Sequence, residues 1–426
     1  MVDARFNMEG TELTDEERRT ISLERADELK RQITDYLEVK DSIPSGLSQK
    51  RMIELRKEQI LELLQGTEAD WRDWKWQLRN RITSVEQLAK LFAITEEEKA
   101  AIREVEQKYR WAISPYYLSL IDPDNPLDAV RLQAIPMLAE VTDIYGEDDP
   151  MGEALTSPVP FVTRRYPDRL IIYVTNQCGM YCRHCQRRRN IGEVDVGTPK
   201  AALREAIAYV ADNPEIRDVL LTGGDAFMIS DEMIEWILQE LRKIPHVEII
   251  RFGTRTPVTL PQRVTPELCA ILEKYHPIYV NTQFNHPQEI TEEAARACDL
   301  LTRAGVPLGN QSVLLNGINN DKHVMKKLNQ DLLRIRVRPY YIFHAKSVSG
   351  TTHFNVRIEE GLAIMESLRG YTSGLAIPTY IINAPQGYGK TPILPSYLIS
   401  QSKDEIMIRT WEGRCINYPN AGPEGE

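Results

Sequence analysis

The stretch RLIIYVTNQCGMYCRHCQRRR, residues 169–189, decides how this chain is read. It opens with RLIIYVTN, a short run of β-branched and aromatic residues that reads as a buried strand. Directly behind it lie Cys178, Cys182 and Cys185, three of the chain's six cysteines, spaced C-x3-C-x2-C. Thiolates are the usual ligands of iron–sulfur clusters, and four irons normally take four of them. Three close thiolates in one loop leave one iron open to a small molecule. The alternatives are a zinc site completed by His184, or unligated core cysteines. Zinc sites favour paired C-x2-C groups with a distant second pair, and no such pair exists in this sequence.

Working outward, the strand signal repeats in RDVLLTGG (217–224), HVEIIRFGTR (246–255), HPIYVNTQF (276–284), GVPLGNQSVLL (305–315) and VRPYYIFHA (337–345). Helical segments such as PKAALREAIAYVAD, DEMIEWILQELRKI, TPELCAILEKY and TEEAARACDLLTRAG separate most of them. Six β–helix alternations predict an α/β fold with a parallel sheet that rolls into a partial or full barrel. Active sites in such folds sit at the C-terminal ends of the strands, so the polar residues just after each run are the candidates.

This core is expected over residues 168–372. Residues 1–110 read as a helical region, with Thr83 and Thr95 as helix starts. Within it DWRDWKWQLRNRI (70–82) concentrates three of six tryptophans; a packed core segment is the plain reading, a docking surface the sharper one. A proline-rich connector follows over 111–167. Residues 373–426 carry another strand-like run, a Gly/Pro-rich loop and a small β-rich tail.

Composition narrows the function. Fifty-two basic residues against 62 acidic ones give a formal charge of −10, which argues against a nucleic-acid partner. No run approaches the ~18 apolar residues of a membrane span. The opening MVDARFNMEGTELTDEERRT has neither a basic start nor an apolar stretch, so no export signal is read and a cytoplasmic, reducing compartment is expected. Sparse cysteines agree with that.

With Thr222-Gly223-Gly224-Asp225 at the end of the second strand, the cysteine loop resembles the radical S-adenosylmethionine (SAM) superfamily; His184 stands where that signature carries an aromatic residue. The likeness goes further. DWKWQLRNRI, VLLTGGDA, TRTPVTLPQR, FNHPQEIT, IRVRPYYIFHA, AIPTYIINAPQGYGKTP and SYLISQ are similar to successive segments of the lysine 2,3-aminomutase family, over about residues 71–415. The resemblance implies a radical SAM partial (β/α)6 barrel with an N-terminal helical region and a small C-terminal extension that carries a pyridoxal phosphate (PLP) lysine. It implies an isomerase that moves an amino group between adjacent carbons of a small amino acid, fed by an external reducing electron donor.

Position by position, the resemblance assigns Cys178, Cys182 and Cys185 to a 4Fe–4S cluster, and His184, Gly223, Gly224, Asp225, Asn310 and Gln311 to SAM. Lys390, in QGYGKTP (386–392), would hold PLP as a Schiff base and be catalytic. Arg165 and Arg169 would contact its phosphate and Tyr340 its ring, although Tyr340 reads equally well as a core tyrosine. Arg187 would grip the substrate α-carboxylate, as a planar guanidinium suits, unless 187–189 is a solvated basic run. On residue chemistry alone, glycines let backbone approach a ligand, and a sheltered lysine loses its proton readily. A phosphate loop or a structural turn is the alternative there; the P-loop spacing is absent.

The chain also departs from that family's lysine-specific pattern. Two aspartates that face the substrate's distal ammonium are replaced by Lys346 and Asn383. A buried lysine repels an ammonium and attracts a carboxylate, and an asparagine can donate where an aspartate cannot. Glutamate, converted to β-glutamate, is therefore the expected substrate; a lysine enzyme with an altered pocket is the alternative, and an exposed Lys346 with Asn383 merely capping a turn the bland one. Where the lysine enzymes use cysteines to bind an intersubunit zinc, this chain has Asp321 and a lone Cys415. A homo-oligomer without structural zinc is expected.

Overall fold

A computed structural model of the protein describes residues 13–420 and 422. Residues 1–12, on which the reading of the opening segment largely rests, lie outside the described residues. The backbone divides into two compact units, one ending at Ile43 and the other beginning at Pro44. In the first, helix Asp15–Arg31 starts at Thr14, whose hydroxyl and Glu17 form a reciprocal capping box, as Thr-x-x-Glu prescribes.

In the second unit, Thr95 caps helix Glu96–Glu106 with Glu98 in the same way. The neighbouring start is shifted by one residue from expectation. Ser84, not Thr83, caps helix Val85–Leu88, its hydroxyl accepting from the Gln87 N–H. The tryptophan-rich segment is core: Trp71 and Trp76 are buried, and Arg263 lies 4.7 Å over the half-buried Trp74 ring.

Nine strands form one sheet in sequence order: β1 (Val162–Thr163), β2 (Arg169–Thr175), β3 (Asp218–Gly223), β4 (Ile249–Gly253), β5 (Ile278–Thr282), β6 (Leu308–Leu314), β7 (Arg338–His344), β8 (Thr379–Ala384) and β9 (Gly389–Pro392). Strands β2 to β8 run parallel, while β1 and β9 pair antiparallel at the two edges. Each of β2 to β7 is followed by a helix, namely Lys200–Ala211, Asp231–Arg242, Pro266–Lys274, Glu292–Arg303, Lys322–Arg334 and Ile358–Leu368. These are the six expected units. The strand-like run beyond them extends the sheet as β8, and the Gly-rich loop turns it back as β9. Strands β10 (Leu398–Gln401), β11 (Glu405–Arg409) and β12 (Cys415–Pro419) form a separate antiparallel sheet.

Alternating strand residues bury one face against the helices: Leu170, Ile172 and Val174 on β2, Val219 and Leu221 on β3, Ile250 and Phe252 on β4. The helices answer with Leu203, Ala206 and Val210, and with Ile234, Leu238 and Leu241. The opposite face lines a cavity. Strands β1 and β9 do not pair with each other, so the barrel is open. Its edges are nonetheless drawn together, because the Lys390 N–H donates to the Tyr166 hydroxyl at 2.8 Å and the Gln386 N–H to the Pro150 carbonyl at 3.0 Å. At Gly387 the backbone takes φ +84° beside Met151 and Thr156, a conformation and an approach that suit glycine. Among the described residues, no helix is long and apolar enough to cross a membrane.

A Tyr166→Phe variant removes the acceptor of the Lys390 N–H. It is expected to cost about 1 kcal/mol locally, seen as faster hydrogen exchange in residues 385–392 with little change in the β2–β7 strands.

Candidate active site

At the C-terminal ends of the parallel strands lies a cavity of about 310 Å³. Cys178, Cys182 and Cys185 line it together with Lys390, more than 200 residues downstream. The curl of the sheet makes this possible, since the cysteine loop leaves β2 and the lysine sits on β9.

The cysteine loop is fixed from both sides. Arg183 and Arg188 converge on Glu140, which is fully buried; Arg183 Nε donates to it at 2.9 Å and Arg188 Nη2 at 2.5 Å. Burial acts to raise the Glu140 carboxyl, but the two guanidinium groups outweigh it and hold it below its ordinary value. On the loop's other flank, Arg81 Nη1 donates to the Cys178 carbonyl at 2.7 Å. Arg255 Nη1 stands 2.7 Å from Cys182 Sγ and is itself held by Glu289 and Gln133 at 2.6 Å each.

The donor set fits a polynuclear cluster. Burial, then Asp225 and the nearby Cys182 and Cys185, pushes the Cys178 thiol well up, so the three sulfurs lie close together on one cavity, as ligands of one cluster would. His184 adds an orphan. Its Nε2 faces the Gln283 and Asn285 amide nitrogens at 3.0 and 3.3 Å, so it accepts, and the proton sits on Nδ1, which is buried without a partner. Burial, reinforced by Arg255, lowers this imidazole well below its ordinary range and keeps it neutral. A neutral donor aimed at no protein acceptor suits a bound ligand.

Gly223 and Gly224 lie against the cysteine loop on the same wall. A Cβ on either would run into the backbone of Thr175 or Gln177, so glycine is what lets the end of β3 lie against the cysteine loop. Asp225 lines the cavity, but its carboxylate is occupied by the protein: Thr254 Oγ1 donates at 2.5 Å, the Arg255 N–H at 2.8 Å and the Phe227 N–H at 3.0 Å.

The other end of the cavity is cationic. Arg165, Arg169, Arg187, Lys346 and Lys390 all line it. Glu153, nearly buried, gathers three arginines, with Arg187 Nη2 at 2.8 Å, Arg165 Nη2 at 3.2 Å and Arg189 Nη2 at 3.1 Å. Burial acts to raise the Glu153 carboxyl, but Arg187, then Arg165 and Arg189, prevail and lower it below 4.5. The amines respond in the opposite sense. Burial, then Arg251 and Arg169, lowers Lys390 to about 8. Burial, then Arg187 and Arg165, lowers Lys346 to about 7. Both amines stand 5.5 Å from the Phe343 ring centroid, so both approach the same ring. Asn383 is the cross-strand partner of Lys390, which puts their side chains on the same face of the β8–β9 hairpin. Its Nδ2 is buried without a partner. Lys346 is therefore not a surface residue.

Two expected residues fall outside this cavity. Asn310 is buried on the other face of β6, bonding the Phe284 N–H and carbonyl at 2.7 and 3.0 Å; its neighbour Gln311 lines the cavity. Tyr340 is the extra residue of a bulge, where Pro339 pairs with Asn310 and Tyr341 with Gln311. It stacks on Tyr341 at 3.8 Å between centroids, and it is Tyr341 that approaches Lys390, at 5.2 Å. A bulge is invisible to alternation counting, so Tyr341 was missed. Glu153 and Arg255 were missed too: a lone carboxylate in a proline-rich connector carries no spacing signal, and Arg255 reads as the end of a strand.

An open α/β barrel with a three-cysteine loop after its first parallel strand defines a radical SAM enzyme, and residues 172–328 match the radical SAM superfamily model. That superfamily implies SAM and a 4Fe–4S cluster, with which the three cysteines are compatible. Residues 365–424 match the lysine-2,3-aminomutase model. The glutamate 2,3-aminomutase of Clostridioides difficile is 59% identical over 94% of this chain and 95% of its own length. The L-lysine 2,3-aminomutases of Clostridium subterminale and Methanococcus maripaludis are 53% and 44% identical, over 83% and 86% of this chain and 85% and 87% of theirs. The chain belongs to the lysine 2,3-aminomutase family and is an isomerase.

Replacing Glu153 by Gln leaves three arginines without their carboxylate. Removing one partner of a buried ion pair typically costs about 3–5 kcal/mol, expected as a lower urea midpoint at pH 7. Because the Glu153 pKa is depressed, its contribution is present above about pH 4.5 and fades as pH falls through the folded value. The deficit of the variant should accordingly shrink in acid.

Proposed function

We propose that the enzyme interconverts L-glutamate and β-glutamate (3-aminoglutarate), moving the amino group between C2 and C3. The observation that carries the substrate is Lys346: it lines the cavity half-buried, and among the described residues no carboxylate lies within ion-pair distance of it. An ammonium partly withdrawn from water without a counter-charge is costly. A substrate carboxylate would supply the missing charge, whereas a lysine side chain would add repulsion. The glutamate 2,3-aminomutase relative supports the same substrate.

When bound, the cluster with SAM supplies a carbon radical able to take an unactivated hydrogen, and PLP supplies a ring that accommodates an unpaired electron beside nitrogen. The chain's own residues do the rest. Cys178, Cys182 and Cys185 would hold the cluster and leave one iron free. The Nδ1–H of His184, Gln311 and the glycine wall of Gly223 and Gly224 would seat SAM, with Asp225 fixing that wall. Lys390, more easily neutral than an ordinary lysine, would hold PLP, with Arg165 and Arg169 on its phosphate and Tyr341 against its ring. Arg187 would orient the substrate α-carboxylate, and Lys346 with Asn383 the distal one. The curled sheet would shield the radical chemistry from bulk water on the strand side.

The working division keeps residues 168–372 as the catalytic core and 373–426 as the segment that brings Lys390. Asp321 caps helix Lys322–Arg334, accepting from the His323 and Val324 N–H groups. A homo-oligomer without structural zinc is proposed from the residue types alone. The electron donor is proposed only as a low-potential reductant in a cytoplasmic setting.

Two outcomes test this reading. With SAM, PLP and reductant under anaerobic conditions, glutamate should turn over and lysine should not; the Lys346→Asp, Asn383→Asp double variant should lose at least about 100-fold on glutamate, as buried like-charge contacts cost several kcal/mol. Lysine turnover by the unmodified enzyme with none on glutamate would reverse the assignment. The rate of PLP loading, trapped with borohydride and mapped to Lys390, should rise about tenfold between pH 7 and 9, as the neutral fraction of an amine with pKa about 8 does. A rise delayed to pH 10 would show an unperturbed lysine.

A further inference from the structure

We propose that Gln186 is a further specificity-determining residue, which acts with Lys346 and Asn383 on the side-chain carboxylate of the substrate. The inference rests on the reading that the substrate carries such a carboxylate, and it adds a residue that neither the sequence motifs nor the departures from the family pattern bring out. Gln186 lies between Cys185 and Arg187 and lines the same cavity. Lys346 Nζ donates to its Oε1.

That contact fixes more than a position. With its oxygen accepting from Lys346, the carboxamide turns its nitrogen away. Among the described residues, Gln186 Nε2 has no protein acceptor. Lys346 has three N–H donors and gives one to Gln186, leaving the others for a ligand. Asn383 adds a buried Nδ2 that no protein group accepts. This end of the cavity therefore offers donors from three side chains. A carboxylate, which only accepts, can pair with all three; an ammonium can pair with none of these donors.

The placement of Gln186 has a second consequence. Its backbone belongs to the cysteine loop, held by Glu140 through Arg183 and Arg188. Neighbouring residues of one anchored loop thus address both ends of a dicarboxylate, Arg187 the α-carboxylate and Gln186 the distal one. Lys346 arrives separately, from the segment after β7. Gln186 ties that segment to the loop, so the spacing between the two subsites is set by a side-chain contact within the pocket.

The test uses Gln186→Glu, which keeps the shape, gives Lys346 an internal anion and places negative charge where the substrate carboxylate would sit. In the reconstituted holoenzyme, KM for glutamate should rise at least 30-fold with a smaller fall in kcat. Glutamate binding to PLP-loaded enzyme without SAM or reductant, followed by the PLP absorbance, should weaken by a similar factor. Iron and PLP content should match the unmodified enzyme. Gln186→Met, which keeps the length but removes the amide, should weaken glutamate binding about tenfold and decides the matter if the charged variant loads no cluster. Glutamate binding within threefold of the unmodified enzyme in a fully loaded variant would overturn the role of Gln186 while leaving the substrate reading intact. Failure of the unmodified enzyme to bind glutamate would overturn both.

Discussion

The organisation of this site follows from one electrostatic constraint: several cations face one cavity, and the protein supplies Glu153 to gather three of the arginines. Arg165, Arg187 and Arg189 share that one carboxylate. Guanidinium groups hold their protons regardless. Burial, reinforced by the neighbouring arginines, is therefore expressed in the amines, with Lys390 lowered to about 8 and Lys346 to about 7. One effect thus serves two purposes: it makes Lys390 a better nucleophile, and it leaves Lys346 in need of an anion that only a ligand can bring. The cavity is built for partners that carry negative charge at several points.

Topology makes that concentration possible. A parallel sheet alone would leave the cysteine loop at one edge and the Lys390 hairpin at the other. The antiparallel edge strands, and the contacts of Tyr166 with Lys390 and of Pro150 with Gln386, bring the two edges around the cavity. The connector before β2 is therefore not a passive linker, since it carries both Glu153 and the backbone that receives the lysine loop.

Much of this was legible in the sequence. The strand and helix runs from 169 to 345 land on β2 to β7 and their helices because buried parallel strands are compact, β-branched and regularly spaced. The cysteine spacing and the glycine pair also mark local structure, and each proves to shape the same wall. What sequence could not carry was long-range pairing. Glu153 reads as any acidic residue until three arginines from other segments surround it. The bulge at Tyr340 inverts which of two adjacent tyrosines approaches Lys390, and Asn310 turns to a backbone contact that no pattern announces. Asp225 is spent on Thr254 and Arg255, partners 29 and 30 residues away.

The central claim is that three thiolates hold a cluster with one iron open to a ligand in the cavity that also contains Lys390. It is tested most directly by electron paramagnetic resonance of the anaerobically reconstituted, reduced protein before and after addition of SAM. The account predicts a reduced-cluster signal whose shape changes when SAM is added and which disappears in a Cys182→Ala variant. A signal indifferent to SAM, or one that persists without Cys182, would contradict it.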